Sequence, residues 1–249
     1  MKHILIGKNI FKSFDNEEKK VSVLNDVNIA IESGEFLTVM GPSGSGKSTL
    51  LYSVSGMDSI DSGQVLFCGT DLSTLKDDEM SEIRRSKMGF IFQHPTMLKN
   101  LNIIDNITLP AMKGENSKKE EIIDKAKTIM KRIGISELEN REISKVSGGQ
   151  LQRASICRAL ITDPLIIFGD EPTGALNSKN TEEIIKILKD INSSGTTIML
   201  VTHDPKVAKI SHRVLFMKDG QIADEAEFLG KSDDEREQIL LEKMRELNI

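Results

Sequence analysis

Two stretches of this sequence bring small residues and free backbone amides to places where an anion could sit. The first is GPSGSGKST, residues 41–49. Its spacing, G-x-x-x-x-G-K-S, follows the apolar run FLTVM and leads into the helical pattern STLLYSV. That context marks a phosphate-wrapping loop rather than a chance turn. Gly44 and Gly46 let the backbone close around phosphate oxygens, Lys47 can reach β- and γ-phosphates, and the Ser48 hydroxyl can ligate Mg²⁺. Gly41, Ser43, Ser45 and Thr49 complete the candidate nucleotide contacts. The second stretch is VSGGQLQRASICRAL, residues 146–160. Glycines just before a helical pattern suit an anion site, because unpaired N–H groups and the helix dipole point outward there. One chain therefore carries two phosphate cradles, which poses the question of what the second is for.

Carboxylates come next. LIIFGDE (165–171) reads as a buried strand ending in two acids. Asp170 is the expected partner of Ser48 around Mg²⁺. Glu171, one residue on, can polarise water for in-line attack on a γ-phosphate. Pro172 and Thr173 then turn the chain, which keeps both acids at the C-terminal edge of a sheet, where α/β proteins bind ligands. Two more polar residues close apolar runs in the same way. Gln93 ends MGFIFQ, placed to bridge Mg²⁺ and the attacking water, and His203 ends TIMLVTH, within reach of a γ-phosphate. The metal candidates are thus Ser48, Gln93 and Asp170. His3, His94 and His212 lack such a context and read as surface or packing residues.

The elements that must hold these groups alternate between short Val/Ile/Phe-rich runs and apolar-striped helical patterns, the signature of an α/β domain with a mainly parallel sheet. Strands are expected at Phe36–Met40, Met88–Phe92, Leu165–Phe168, Thr197–Val201 and Val214–Met217, and helices at 117–133, 150–161 and 178–192. The N-terminal part, punctuated by Gly34 and Gly63, reads as antiparallel strands. Residues from about 95 to 162 read as almost wholly helical. The expected organisation is a P-loop NTPase core at 1–94 and 163–225, a helical subdomain at 95–162 and a helical tail at 226–249. In that tail Ser232 is a plausible N-cap. Ile239, Leu240, Met244 and Leu247 form a stripe expected to pack back on the domain.

With 249 residues, 38% of them hydrophobic and 29% charged, the chain fits a globular protein with a substantial core. A net charge of −5 supplies no global basic field for nucleic acid. Cys68 and Cys157 are far apart without metal-like spacing, and read as reduced, buried, small hydrophobes. No apolar run reaches the roughly 18 residues that cross a bilayer, and Lys8 and Lys12 interrupt any signal-like N-terminal core. The expected location is cytoplasmic, with any membrane attachment made through another chain.

Together GPSGSGKST, Gln93, VSGGQ, LIIFGDEP, GALN and His203 resemble, in order and spacing, the ATP-binding subunit of an ABC transporter. The resemblance spans residues 2–225. It implies that two copies pair head to tail, with Ser147, Gly148, Gly149 and Gln150 of one touching the γ-phosphate of ATP bound to the other. The second cradle would then serve a neighbour's nucleotide. The resemblance further implies Glu171 as catalytic base, His203 as switch histidine and Gln93 as the loop glutamine linking the site to the helical subdomain. It also implies an aromatic residue near the N-terminus stacked on adenine, with Phe14 the better match and Phe11 its rival. Two positions depart from the pattern. The usual Ser-Ala-Leu-Asp is here Gly174-Ala175-Leu176-Asn177, which loses a charge but keeps hydrogen-bonding capacity. Val146 replaces a usual Leu.

MGFIFQHPTMLKNLNIIDNITLP (88–110), LYSVSGMDSIDSGQVLFCGTDLSTL (51–75) and Ile83-Arg84-Arg85 resemble the branch serving macrolide export, lipoprotein release and antimicrobial-peptide resistance. That branch implies an FtsX-like permease partner and a peripheral place on the inner face of the membrane. It also implies a coupling helix received near Met97–Leu109. Export or sensing of antimicrobial peptides or amphipathic drugs is the first expectation, with lipoprotein release or cell division as alternatives. A non-transport ABC ATPase is a more distant one. DNA-repair members insert a long coiled coil between phosphate loop and signature, and ribosome-acting members carry two cassettes in a chain.

Overall fold

The computed structural model describes residues 2–16, 19–112 and 118–247. Ten strands among them form two sheets. The smaller, in order β2-β1-β4-β5, is antiparallel and comprises β1 (His3–Asn16), β2 (Lys19–Glu32), β4 (Ser62–Phe67) and β5 (Thr70–Asp71). The larger runs β10-β9-β3-β8-β7-β6. It is built from β3 (Phe36–Met40), β6 (Met88–Phe92), β7 (Ile166–Asp170), β8 (Thr197–Val201), β9 (Arg213–Lys218) and β10 (Gln221–Glu227). All its pairings are parallel except that of β10 with β9.

The parallel strands were readable because both faces of the large sheet are covered. Every residue of β3 and β8 is buried, so these strands are continuous apolar runs rather than alternating ones. Side chains still alternate between two cores. Phe168, Met199 and Val201 face the small sheet, together with Leu50, Leu51 and Val54 of α1 (Lys47–Val54). Ile167, Ile198 and Leu200 face the opposite way, onto the helices. The expected strands at 36–40, 88–92 and 197–201 coincide with β3, β6 and β8. β7 starts one residue later than expected and continues to Asp170, because Phe92 pairs with Asp170 and Asp170 with Val201.

Between β6 and β7 the described residues carry α3 (Ile103–Thr108), α4 (Lys119–Ile133) and α5 (Gly148–Leu160), joined by short 3-10 turns. Position 117, expected in the α4 helix, lies outside the described residues. α5 begins two residues before the apolar periodicity does, because Ser147 and Gln150 form a reciprocal capping box. α6 (Ser178–Ser193) buries Thr181, Ile184, Leu188 and Ile191 at helical spacing. Each of its aliphatic side chains contributes about 1.5–3 kcal/mol by leaving water, more than helix propensity does. α2 (Asp77–Lys87) has no counterpart among the expected helices: only Met80 is buried on it, so it carries no apolar stripe.

α7 (Pro205–Ala208) and α8 (Asp233–Leu247) complete the chain. The Ser232 hydroxyl accepts from Glu235 N–H at 3.3 Å, and the Glu235 carboxylate accepts from Ser232 N–H at 2.7 Å. Leu240 is buried with Phe216, Phe228 and Met40, and Ile239, Met244 and Leu247 pack around them. α8 therefore lies against the large sheet's β9 side. Cys157 is buried, whereas Cys68 is half-buried in the tight turn after β4 with a positive φ of 49°. Among the described residues no helix is long and apolar enough to cross a membrane.

Candidate functional site

The register of the large sheet assembles the site. Val39 of β3 pairs with Val201 of β8, Val201 with Asp170 of β7, and Asp170 with Phe92 of β6. The four strands thus end in one row, and the residues leaving them emerge at one edge: the phosphate loop, Glu171, Thr202–His203 and Gln93.

The loop from Gly41 to Gly46 turns β3 into α1. Gly46 is the N-cap, at φ 99°, and a Cβ there would sit 2.8 Å from the carbonyl oxygen of Val23. Only glycine satisfies both conditions. Lys47 is buried, and its ammonium donates to the Gly41 and Pro42 carbonyls, each at 2.9 Å. Burial holds its pKa below the usual lysine value, opposed by the charges of Glu171 and Asp170. The Ser45 hydroxyl is buried and has no hydrogen-bond partner among the described residues. A cationic side chain hydrogen-bonded to carbonyls and a hydroxyl without a partner among the described residues, both in a glycine-rich turn at a helix N-terminus, fit a phosphate chain.

Across the row, the Ser48 hydroxyl donates to Asp170 Oδ1 at 2.8 Å, and the Tyr52 hydroxyl to Asp170 Oδ2 at 2.5 Å. The chemistry of this donor set, a hydroxyl beside a carboxylate, suits a hard cation such as Mg²⁺. No cluster of three or more His, Cys, Asp or Glu suited to a metal occurs among the described residues. A cation held by Ser48 and Asp170 would share its coordination with phosphate oxygens and water.

Glu171 has a left-handed backbone, φ 48°, a conformation that costs a β-carbon residue about 1–3 kcal/mol and persists where the surroundings enforce it. Its N–H donates to the Val201 carbonyl at 2.9 Å. Its Oε2 accepts from the Thr202 hydroxyl at 3.1 Å, and Oε1 lies 3.0 Å from His203 Nδ1, which donates in its Nδ1–H tautomer. The Glu171 side chain is 16% exposed and that of His203 70%. The acid is thus held from behind by a buried threonine and reached from outside by the imidazole.

Gln93 is exposed and its amide lies over Gly174: a Cβ at that glycine would be 2.8 Å from Gln93 Nε2. The Gly174 N–H in turn donates to the Glu171 carbonyl at 3.0 Å. The glutamine therefore rests on the turn that carries the acid. Gly174→Val is expected to displace the Gln93 amide, lowering kcat about tenfold. The melting temperature should stay unchanged, because the group that moves is the end of a flexible side chain. Steady-state ATPase assays and calorimetry check both halves. Asn177, in place of the usual Asp, caps α6 by accepting from Asn180 N–H at 3.0 Å. An amide oxygen performs that task as an acid would.

The residues Ser147–Gln150 stand apart. No hydrogen bond among the described residues joins them to the loop at 41–49. Ser147 donates through its N–H and its hydroxyl to Gln150 Oε1, both at 3.1 Å. The two glycines differ. A Cβ at Gly149 would lie 2.6 Å from the Asn180 side chain, whereas one at Gly148 would meet none of the described residues within 4 Å. Gln152, one turn into α5, donates to the Phe92 carbonyl at 3.1 Å and so ties this helix to the strand end before Gln93. Phe14 and Phe11 are both exposed, at 45% and 38%. Lys12 lies 5.0 Å from the centroid of the Phe14 ring while paired with Asp58 at 2.9 Å, so one face of that ring already has a partner. Sequence reasoning missed Tyr52, Thr202 and Asn180. Tyr52 had a readable signal, since a polar residue four positions after Ser48 shares its helix face.

A strand–loop–helix presenting Lys47 and Ser48 to a strand-end Asp-Glu pair defines a phosphate-loop nucleoside triphosphatase. Residues 24–174 match the ABC transporter family, and the chain belongs to it. It is 40% identical over 243 residues to the bacitracin export ATP-binding protein BceA of Halalkalibacterium halodurans, covering 97% of this chain and 94% of that one. It is 39% identical over 215 residues to the macrolide export ATP-binding/permease protein MacB of Pasteurella multocida, covering 86% of this chain but 33% of that longer polypeptide. Among solved structures it superimposes on the ATP-binding cassette MJ0796 of Methanocaldococcus jannaschii, in a dimeric post-hydrolysis state bound to ADP and Pi. There the TM-score is 0.84 at 38% identity, over 90% of this chain and 98% of that one. This chain is an ATP-binding, ATP-hydrolysing transporter subunit with the P-loop NTPase fold.

Proposed function

We propose that two copies of this chain close head to tail on two Mg-ATP and thereby drive an FtsX-like permease that exports or senses antimicrobial peptides or amphipathic drugs. The core is 1–94 with 163–225, the helical subdomain is 95–162, and 226–249 forms a tail. Gly41, Ser43, Gly44, Ser45, Gly46, Lys47 and Thr49 hold the phosphates, and Phe14 stacks on adenine. Ser48, Asp170 and Gln93 are the residues that would hold Mg²⁺, which when bound offsets charge on the β- and γ-oxygens. Glu171 takes the proton of the attacking water, and His203, beside it, contacts the γ-phosphate side of the site.

The observation that carries this reading is Gly148. Among the described residues nothing lies within 4 Å of a Cβ placed there, and Gly148 sits exposed at the N-terminus of α5 beside the Ser147 hydroxyl. Close approach of a second molecule's γ-phosphate supplies the missing reason. The dimeric state of the MJ0796 cassette supports pairing of two copies.

The permease has a candidate seat in a cavity of about 430 Å³ between α2, β6 and the helical segment, lined by Met57, Arg84, Phe92, Leu109 and Arg158. Leu109 and Met57 are exposed there, at 48% and 45%. A coupling helix with an apolar face and acidic ends fits that lining. The substrate class rests on likeness to BceA and MacB. The test is a tagged pull-down from solubilised membranes, then ATPase assays of the recovered complex with bacitracin or a macrolide. A co-purifying permease with few spans and an external domain, whose complex one of these compounds stimulates, is expected. Recovery with ribosomal or DNA-repair proteins would overturn the transport role.

A further inference from the structure

We propose that Tyr52 is a positioning residue of the metal site: its phenol fixes the Asp170 carboxylate in the orientation that serves Ser48. The inference rests on the proposed function, in which Ser48 and Asp170 face Mg-ATP. Asp170 divides its two oxygens between two hydroxyls of one helix, Oδ1 accepting from Ser48 at 2.8 Å and Oδ2 from Tyr52 at 2.5 Å. The two donors are four residues apart on α1, so they project from one face about a turn apart.

α1 is a rigid platform for them. Its Leu50, Leu51 and Val54 are buried between the two sheets, and the Tyr52 ring packs against the same core. A carboxylate with one hydrogen bond turns easily about its last torsion, which is broad for aspartate. Two donors on opposite oxygens remove that freedom. With Oδ2 occupied, Oδ1 alone is left to face the hydroxyl that would ligate the cation. Outer groups of this kind orient metal-facing residues in many sites, and removing them weakens metal binding by about 10–100-fold.

Tyr52→Phe keeps the ring and its packing and deletes only the donor. Mn²⁺ is titrated by electron paramagnetic resonance in the presence of a non-hydrolysable ATP analogue, with Asp170→Asn measured alongside. Y52F should weaken Mn²⁺ binding by about tenfold and leave metal-free binding of the analogue unchanged. Mn²⁺ affinity equal to that of the unmodified protein would overturn the inference. So would an equal loss with and without metal, since the phenol would then act only through packing. If D170N loses affinity and Y52F does not, the role of Tyr52 falls while the reading of Asp170 stands. If neither variant loses affinity, both fall.

Discussion

Glu171→Gln is expected to lower steady-state ATP turnover by about 10²- to 10⁴-fold while leaving ATP binding intact and an ATP-stabilised dimer in place. The substitution keeps the shape of the side chain and an oxygen that can accept from Thr202, so the packing behind the acid survives. What it removes is the group that takes a proton. The strained backbone at φ 48° is unaffected, because Glu and Gln share the same backbone preferences. The nearby charge that opposes the burial of Lys47 is reduced to that of Asp170, which still leaves the ammonium a partner. Two measurements are needed: phosphate release, and size-exclusion chromatography with and without ATP. Turnover at the unmodified rate would remove Glu171 from the role of base. Lost turnover together with lost nucleotide binding would make it a structural residue of the loop instead.

Gly148→Asp is the second large effect, and it separates the two cradles. A β-carbon at this position meets none of the described residues within 4 Å, so the fold tolerates it. An aspartate at a helix N-terminus is also locally favourable by about 0.3–1 kcal/mol. Folding and ATP binding by the single chain are therefore expected to match the unmodified protein. In the closed pair, however, the new carboxylate would stand against a γ-phosphate. Like charges at such range, in a site shielded from water, cost several kcal/mol. ATP-dependent dimerisation and turnover should both fall by about 10²-fold or more. Lys47→Ala provides the contrast, since it should lose nucleotide binding in the single chain. A Gly148→Asp protein that still dimerised on ATP and hydrolysed it would place the signature residues away from the partner's nucleotide.

Much of the site was legible because its parts are local. The spacing of GPSGSGKS is set by one turn and the first turn of α1, and LIIFGDE by a single buried strand ending in a sharp bend. VSGGQ is a capping box, in which Ser147 and Gln150 satisfy one another three residues apart. Such patterns need no knowledge of the rest of the chain. α2 was not legible, because a helix with one buried residue leaves no periodic trace. Cys68 reads as buried from the sequence but is half-buried, since the sequence does not reveal that it occupies a tight turn at φ 49°.

The sequence by itself determined which side chains could do the chemistry: Lys47, Ser48, Asp170, Glu171, Gln93, His203 and the Ser147–Gln150 cap. Only the tertiary structure decided that Val39, Val201, Asp170 and Phe92 lie in one row, that Tyr52 shares Asp170 with Ser48, and that Gly149 answers to Asn180 while Gly148 answers to none of the described residues. The reason is the range of the forces involved. Caps and loops are specified within a few residues by torsion angles and nearby hydrogen bonds. Strand register joins segments distant in sequence and is set by the simultaneous packing of both faces of the sheet.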